Sequence, residues 1–199
     1  MRILLPATLA AAVLALQTLP APRPAAAATA GTTRYVLDPA KSTLQFTFTQ
    51  AGAQNKGRFK RFTTTLEWSG DNPAASRLEV TVDMTSVDTG DQERDDTLRD
   101  VDLFGVRKFA QARFDATQIV KTASGYEAVG KLTIRDLTHE LHVPFTFRTA
   151  TEQGVNVGYM SGKTSLRRLD YGVGQGDWKA TDQVGNDVGV VFELPLIAH

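Results

Sequence analysis

The chain has 199 residues, no Cys, 22 Lys and Arg, 22 Asp and Glu and 3 His, so its formal net charge is zero. The absence of Cys excludes disulfides, zinc–thiolate sites, iron–sulfur clusters and a cysteine nucleophile. The balanced charge argues against a nucleic-acid-binding protein, which usually carries a basic excess. An apolar fraction of 42% is sufficient for a folded core, and the length predicts one domain with an appendage.

Residues 1–30 have the pattern of a secretory signal peptide. Arg2 precedes a short apolar run, and an Ala- and Pro-rich stretch follows it. Small residues predict cleavage near Ala28 or Ala30. An uncleaved membrane anchor is the alternative, but the apolar run is short for a bilayer span and lacks flanking charges. We therefore expect residues 31–199 to form one exported, periplasmic domain.

Alternation of apolar and polar residues dominates the chain after residue 31. In the segment 43–49, for example, Leu44, Phe46 and Phe48 alternate with Thr and Gln. A period of two with many Thr, Val and Phe is typical of strands with one apolar and one hydrated face. The pattern recurs at 62–68, 78–83, 126–134, 141–147, 155–161 and 188–196. Seven to nine strands with short connections predict an all-β, mainly antiparallel barrel or sandwich.

Residues 90–105 lack this alternation and are acidic. Leu98 and Phe104, spaced among polar residues, favour one or two short helices. Thr89 is a suitable N-cap for the first helix, and Gly105 is a suitable end for the second. We therefore expect a short helical insert near residues 90–105, between two sets of strands.

Features that suggest catalysis or metal binding have simpler interpretations. His139 and His142 are three positions apart on a predicted strand, so they face opposite sides and cannot share one metal ion. In the acidic stretch from Asp83 to Asp102, Arg94 interrupts the candidate calcium loop and no Gly follows in the required place, which favours helix capping and solvated charge. No Ser lies in a Gly-x-Ser-x-Gly motif, the usual nucleophile turn of hydrolases. We therefore predict no catalytic and no metal-binding residues.

Five segments, in order along the chain, resemble the YceI-like family. The segment 94–109, RDDTLRDVDLFGVRKF, resembles a pattern of roughly Arg-Asp-x-x-Leu, three further residues and Asp-Phe-Phe-Asp-Val-x-Lys-Tyr-Pro. Leu103, Gly105, Phe109 and Ala110 stand where that pattern has Phe, Asp, Tyr and Pro. The other segments are 35–39 with Ser42, 86–90, 130–138 and 168–172. The resemblance extends over about residues 34–197.

The resemblance implies an elongated, eight-stranded, lipocalin-like barrel whose pore holds a polyisoprenoid lipid, such as an isoprenoid quinone or a prenyl pyrophosphate. Family members are mostly periplasmic or secreted, and some are encoded with, or fused to, a di-haem b-type cytochrome of the inner membrane. Many members have His where this chain has Lys41 and Gln50, so a head-group or metal role of those histidines does not carry over. The subgroup linked to membrane cytochromes often has Gln at the second position, as here.

The residues expected to line the pore are inward-facing members of the predicted strands. They are Leu44, Phe46, Phe48, Phe62, Leu66, Trp68, Phe114, Phe145, Phe147 and Tyr159. We expect Arg168 and Tyr171, beside the glycine-rich turn at 172–176, to border the mouth of the pore. Each lining residue has two alternative placements: a packed core, or the outer face if the strand register slips by one position.

The sequence thus predicts a signal peptide at 1–30 and a YceI-like lipid-binding barrel domain at 31–199. The ligand would be held for transport, storage or a stress response, with no required cofactor and no nucleic-acid partner. One alternative is an accessory partner of a membrane b-type cytochrome in electron transfer. A second, less favoured, is an enzyme that acts on a hydrophobic substrate inside the barrel. The oligomeric state, monomer or homodimer, stays open.

Overall fold

The structure, a computed structural model, describes residues 31–199. The predicted signal peptide and its cleavage sites lie in residues 1–30, outside the described residues. Within the described part of the chain, no helix has the length and apolar character needed to cross a membrane.

Strands dominate the secondary structure, with one short α-helix near the middle of the chain. The strands before the helix are β1 (Thr33–Leu37), β2 (Thr43–Gln50), β3 (Ala53–Phe59), β4 (Phe62–Trp68), β5 (Arg77–Asp83) and β6 (Val87–Asp88). The helix is α1 (Gln92–Arg99). The strands after it are β7 (Gln111–Thr122), β8 (Gly125–Ile134), β9 (Leu137–Glu152), β10 (Val155–Arg167) and β11 (Asp187–Ala198). This order confirms the prediction of a helical insert between two sets of strands.

Eight of these strands close into an antiparallel barrel. Their order around the barrel is β1, β4, β5, β7, β8, β9, β10 and β11, and β1 pairs with β11 to close it. At this closing seam Tyr35 lies opposite Ala198, and Leu37 lies opposite Leu196. Closure gives every strand one face toward the interior. The predicted eight-stranded barrel is therefore confirmed.

The closing seam extends along only part of the barrel. Beyond β1, the residues of β11 from Gly189 to Glu193 pair with β2 instead. The chain turns between β1 and β2 at residues 38–42, where the Ser42 hydroxyl donates to the Asp38 carbonyl at 2.7 Å. Because β2 then pairs with β3, and β3 with β6, the wall is extended at one end, which we call the open end.

Helix α1 begins two residues later than the sequence predicts. Its N-cap is Asp91, whose carboxylate accepts a hydrogen bond from the Arg94 backbone N–H at 2.9 Å. Thr89, the predicted cap, instead donates to the Asp95 carboxylate from its backbone N–H at 2.8 Å and from its hydroxyl at 2.7 Å. A carboxylate is as good an N-cap as a hydroxyl, so composition could not distinguish the two positions.

The second helix expected before Gly105 is absent from this segment, where residues 100–109 form a series of turns. Gly105 has a φ of +60°, a left-handed conformation that glycine adopts readily. The Arg99 guanidinium fastens the end of α1 to the barrel by donating to the carbonyls of Thr85, at 3.1 Å, and Val87, at 2.8 Å. The insert is therefore one helix followed by a turn-rich segment that covers the open end.

Apolar side chains are densely packed at the opposite end of the barrel, which we call the closed end. Leu66, Ile119, Ala128 and Leu196 are fully buried there. Gly158 permits this packing, because a Cβ atom at that position would lie 2.6 Å from the Phe147 ring. The core therefore fills the closed end of the barrel rather than its whole length.

The two histidines of β9 lie on opposite faces, as the period of a strand requires. The ring of His139 makes a hydrogen bond of 2.9 Å to the Asp170 carbonyl and packs edge-on against Tyr171. The ring of His142 lies on the outer surface, 2.9 Å from the Glu127 carboxylate and 3.3 Å from that of Glu140. Hydrogen bonding to Glu127, and then to Glu140, raises the pKa of His142 above its ordinary value of 6.5.

This arrangement predicts a pH dependence. Because the folded-state pKa of His142 is raised, the His142 contribution to stability is fully present below the unfolded-state pKa and is lost as pH rises through the folded-state pKa. We expect NMR titration of the His142 ring to show a midpoint above 6.5, and Glu127→Gln to lower that midpoint. Glu67→Gln, on β4, is the control. A midpoint unchanged by Glu127→Gln would contradict this assignment.

Candidate ligand-binding cavity

The open end of the barrel contains an apolar cavity. Its volume is about 510 Å³, within the range of about 300–1,000 Å³ typical of small-molecule sites. The apolar strand residues that line it are Leu44, Phe46, Phe48, Phe59, Phe62, Leu78, Val80, Val82, Ala112, Phe114, Leu132, Ile134, Leu141, Val143, Met160, Leu166, Val188, Val190, Phe192 and Leu194. The polar strand residues of the lining are Gln45, Gln50, Arg113 and Thr164. Aliphatic and aromatic side chains thus form most of its wall.

Strand alternation explains which side chains reach the cavity. On β11, Val188, Val190, Phe192 and Leu194 line it, whereas Val191 lies on the outer face with 46% of its surface exposed. Even-numbered residues of β10 face inward in the same way. The sequence folds this way because a closed barrel buries one face of each amphipathic strand and hydrates the other.

Five aromatic side chains form a cluster in the packed interior of the closed end. We call this cluster the aromatic plug; its members are Tyr35, Trp68, Tyr126, Phe145 and Phe147. The Phe147 ring lies 5.4 Å from that of Tyr35 and 4.8 Å from that of Trp68, centroid to centroid. Tyr126 lies 4.8 Å from Trp68 and 5.7 Å from Phe145. These separations are typical of favourable aromatic contacts, so the plug belongs to the packed closed end, and its members are not among the residues that line the cavity.

The helical insert and the segment 168–186 cover the other side of the cavity. Leu98, from α1, packs with the apolar clusters on both sides of the opening. Phe104 lies 6.0 Å from Phe59, between ring centroids, and Trp178 packs in the same two clusters. All four residues line the cavity. The cavity is therefore bounded by the barrel wall, the packed core of the closed end and this cover.

The ten predicted lining residues divide by height along the barrel axis. Leu44, Phe46, Phe48, Phe62 and Phe114 border the cavity. Leu66, Trp68, Phe145 and Phe147 also belong to the interior, but they lie in or against the packed core of the closed end. Alternation predicts the face that a side chain occupies, and it contains no information about position along the axis.

Tyr159 lies on the outer face of β10, so its predicted inward orientation is wrong by one position in the register. The Arg148 guanidinium lies 3.9 Å from the centre of its ring, and its hydroxyl donates to the Glu152 carboxylate. The inward-facing residue is the next one, Met160, which is buried and lines the cavity. Cross-strand polar contacts hold the amphipathic tyrosine outside, while the wholly apolar methionine is buried.

Of the two predicted mouth residues, Arg168 lines the cavity and Tyr171 does not. Tyr171 is buried in a neighbouring cluster with Leu103 and Val173, and this burial raises the pKa of its hydroxyl. Its ring packs in this cluster behind the cavity wall and is not among the residues that line the cavity.

The Arg168 side chain is only 4% exposed. Its guanidinium donates to three backbone carbonyls: those of Gly185 at 2.9 Å, Val173 at 2.9 Å and Val184 at 2.7 Å. Within residues 31–199, no carboxylate lies within 4.0 Å of it. Burial lowers the pKa of Arg168, because it disfavours the charged form.

Sequence reasoning missed the polar and apolar residues that the cover contributes. The polar ones are Asp91, Glu93, Arg94 and Thr97, and the apolar ones include Leu98, Leu103, Phe104, Val173, Trp178 and Val184. Gln50, at the end of β2, also lines the cavity and was missed. Most lie in segments without alternation, where no period assigns a side chain to the interior. The available signal was Trp178, a large apolar residue within a polar, glycine-rich stretch.

Comparison of sequences relates the chain to known proteins. The model of the YceI-like domain matches residues 35–196. A UPF0312 protein of Yersinia enterocolitica is 40% identical over 82 residues, which are 41% of this chain and 43% of that protein. A UPF0312 protein of Yersinia pestis is 38% identical over the same length. The matched segment thus spans less than half of these relatives.

Comparison of structures points to the same fold. BcnA of Burkholderia cenocepacia has a TM-score of 0.73 and 29% identity, over 80% of this chain and 98% of that one. A YCEI protein of Campylobacter jejuni has a TM-score of 0.65 and 21% identity, over 71% of this chain and 83% of that one. A polyisoprenoid binding domain from Saccharophagus degradans has a TM-score of 0.62 and 16% identity, over 83% of this chain and 98% of that one. The YceI-like model matches residues 35–196, which are most of this chain. The chain therefore belongs to the YceI-like family.

Proposed function

We propose that the chain is an exported binding protein that holds a polyisoprenoid lipid, an isoprenoid quinone or a prenyl pyrophosphate, in the barrel cavity. The observation that carries this proposal is the apolar cavity of about 510 Å³ at the open end. Polyisoprenoid binding is also the property named for the structurally similar domain of Saccharophagus degradans. The lipid would be held for transport, storage or a stress response.

The shape of the cavity favours a long apolar tail. Burial of each CH₂ group contributes about 0.8 kcal/mol, so a tail of several prenyl units would bind tightly without a charged anchor. Because the packed core fills the closed end and the cavity wall is mostly apolar, the tail would enter first and the head group would stay at the open end. There it would meet Arg94 and Arg168 of the cover and Gln50 at the end of β2.

Binding is favoured over catalysis by the residues around the cavity. An enzyme that acted on a bound lipid would need titratable groups from distant segments close to its reacting atoms. The carboxylates at the cavity, Asp91 and Glu93, come from a single segment and are exposed to water. Neither His139 nor His142 lies in the cavity wall.

Export to the periplasm is part of this proposal and depends on the signal-peptide pattern of residues 1–30. A partnership with a membrane b-type cytochrome stays a prediction from the family resemblance. A lipid carrier and a cytochrome partner are compatible functions if the lipid is a quinone.

The first test is the identity of the native ligand. We expect protein purified from the periplasmic fraction of native cells to begin shortly after Ala28 or Ala30. We also expect organic extraction and mass spectrometry to identify a stoichiometric prenyl lipid. Ligand-free protein that also fails to bind added quinones, prenyl alcohols and prenyl phosphates would contradict the proposed function.

A second test fills the cavity. Val190→Trp places an indole among the lining residues, whereas Val191→Trp places one on the outer face, where the native side chain is 46% exposed. We expect only Val190→Trp to weaken farnesol binding, measured by titration calorimetry. Exclusion of two or more CH₂ groups lowers affinity by about tenfold or more. Equal affinities of the two variants would place the ligand outside the cavity.

A third test uses the two tryptophans, one at the cavity and one in the packed closed end. Trp178 lines the opening, and Trp68 belongs to the plug. We expect farnesol to shift the fluorescence of a Trp68→Phe variant, which retains Trp178, more than that of a Trp178→Phe variant. A larger fluorescence shift in the Trp178→Phe variant, which retains only Trp68, would contradict entry of the ligand through the open end.

A further inference from the structure

We propose that the open end of the cavity holds a subsite for a phosphate head group, built on Arg168 and Arg94. This inference rests on the proposed function, and it selects a prenyl phosphate or diphosphate over a neutral lipid such as a quinone. Three features support it. Arg168 is a buried cation with no carboxylate beside it, and the guanidinium of Arg94 has no hydrogen-bond or ion-pair partner within residues 31–199. The carboxylates that line the opening are exposed to water.

The first feature is the uncompensated charge of Arg168. Three carbonyl oxygens accept its hydrogen bonds, but carbonyls are dipoles and do not neutralise a full charge. Buried charges are ordinarily paired, because removal from water is costly. An anion at the cavity opening would supply the missing charge. A guanidinium has five N–H donors, so donors remain beyond the three that the carbonyls engage.

The second feature is the Arg94 side chain. It is half-buried and lines the same cavity from α1. Its backbone N–H is engaged by Asp91, whereas its guanidinium has no hydrogen bond or ion pair with the residues of the described domain. It is therefore available to a ligand without the loss of a protein contact.

The third feature is the location of the acidic groups at the opening. Asp91 and Glu93 border the cavity, but both are exposed, and water screens exposed charges far more than buried ones. Among the residues that line the cavity, the charges withdrawn from water are therefore the positive ones, Arg94 and Arg168. The buried carboxylate of α1, Asp95, is not in the lining and accepts hydrogen bonds from Thr89. A phosphate offers oxygens that guanidinium groups bind in a bidentate manner, whereas a quinone carbonyl accepts a hydrogen bond without balancing the charge.

Gln50 adds a neutral donor near Arg168. Its backbone pairs with Val184, the residue whose carbonyl accepts from Arg168 at 2.7 Å. The Gln50 side chain is half-buried and lines the cavity. Its amide would donate to a phosphate oxygen held at Arg168.

Arg168 also has a structural role, because its three carbonyl bonds hold both ends of the segment 173–185. A loss of affinity after its substitution is therefore ambiguous by itself. The informative quantity is the preference for farnesyl phosphate over farnesol, two probes with the same tail. A purely structural role would weaken binding of both probes alike and leave this preference unchanged.

The experiment measures both affinities by titration calorimetry for the mature domain and its variants. We expect the unmodified protein to prefer farnesyl phosphate by about tenfold or more, as charged hydrogen bonds allow. Arg94→Gln and Arg168→Gln should each reduce that preference severalfold. Arg168→Lys, which keeps the charge but not the three carbonyl bonds, should retain a preference for the phosphate. Arg167→Gln, one residue away on the outer face, is the matched control and should behave as the unmodified protein.

The outcomes separate this inference from the function on which it rests. Equal affinity for the two probes, or a preference that survives both Arg→Gln substitutions, overturns the phosphate subsite and leaves lipid binding intact. Failure of both probes to bind overturns lipid binding and the subsite together. If Arg168→Gln does not fold, Arg94→Gln decides the question, because the Arg94 side chain makes no hydrogen bond or ion pair within residues 31–199.

Discussion

The seam that closes the barrel is the constraint on which the rest of the structure depends. Strand β1 closes the barrel against the last residues of β11, and β2 takes over the pairing with the residues before them. The chain changes from one to the other at residues 38–42. One end of the barrel is therefore a tight ring of strands, and the other is widened by β2, β3 and β6.

This difference in width explains why one interior contains both a packed core and a cavity. At the closed end, opposing side chains are near enough for the aromatic plug to fill the cross-section. At the open end, the interior is too wide for side chains of the same sizes, and the helical insert and the segment 168–186 cover it. A small barrel lies close to the limit between a filled core and room for one ligand. Here the closed end has a filled core, and the open end has room for a ligand.

The cover has the opposite chemistry from the wall. The wall is mostly apolar, which suits a prenyl tail, whereas Arg94 and Arg168 of the cover and Gln50 at the end of β2 stand where a head group would lie. The Arg168 guanidinium has two roles at this end of the barrel. It holds the cover through hydrogen bonds to three backbone carbonyls, and its positive charge has no carboxylate partner beside the cavity within the described domain. Stability of the cover and recognition of a ligand would thus depend on the same side chain.

Much of the fold was determined by the sequence alone, because the period of two assigns each strand residue to a face. It predicted the antiparallel barrel, the helical insert, and the inward orientation of Phe46, Phe48 and Phe114. It failed at Tyr159, where a tyrosine suits either face and only its contacts with Arg148 and Glu152 decide the register. Only the tertiary structure decided that Trp68 and Phe147 form a plug while Phe46 and Phe48 border a cavity, because height along the axis follows from strand pairing. It also decided that Arg168 lies buried without a carboxylate, since the distant backbone carbonyls that hold it meet only when the barrel closes.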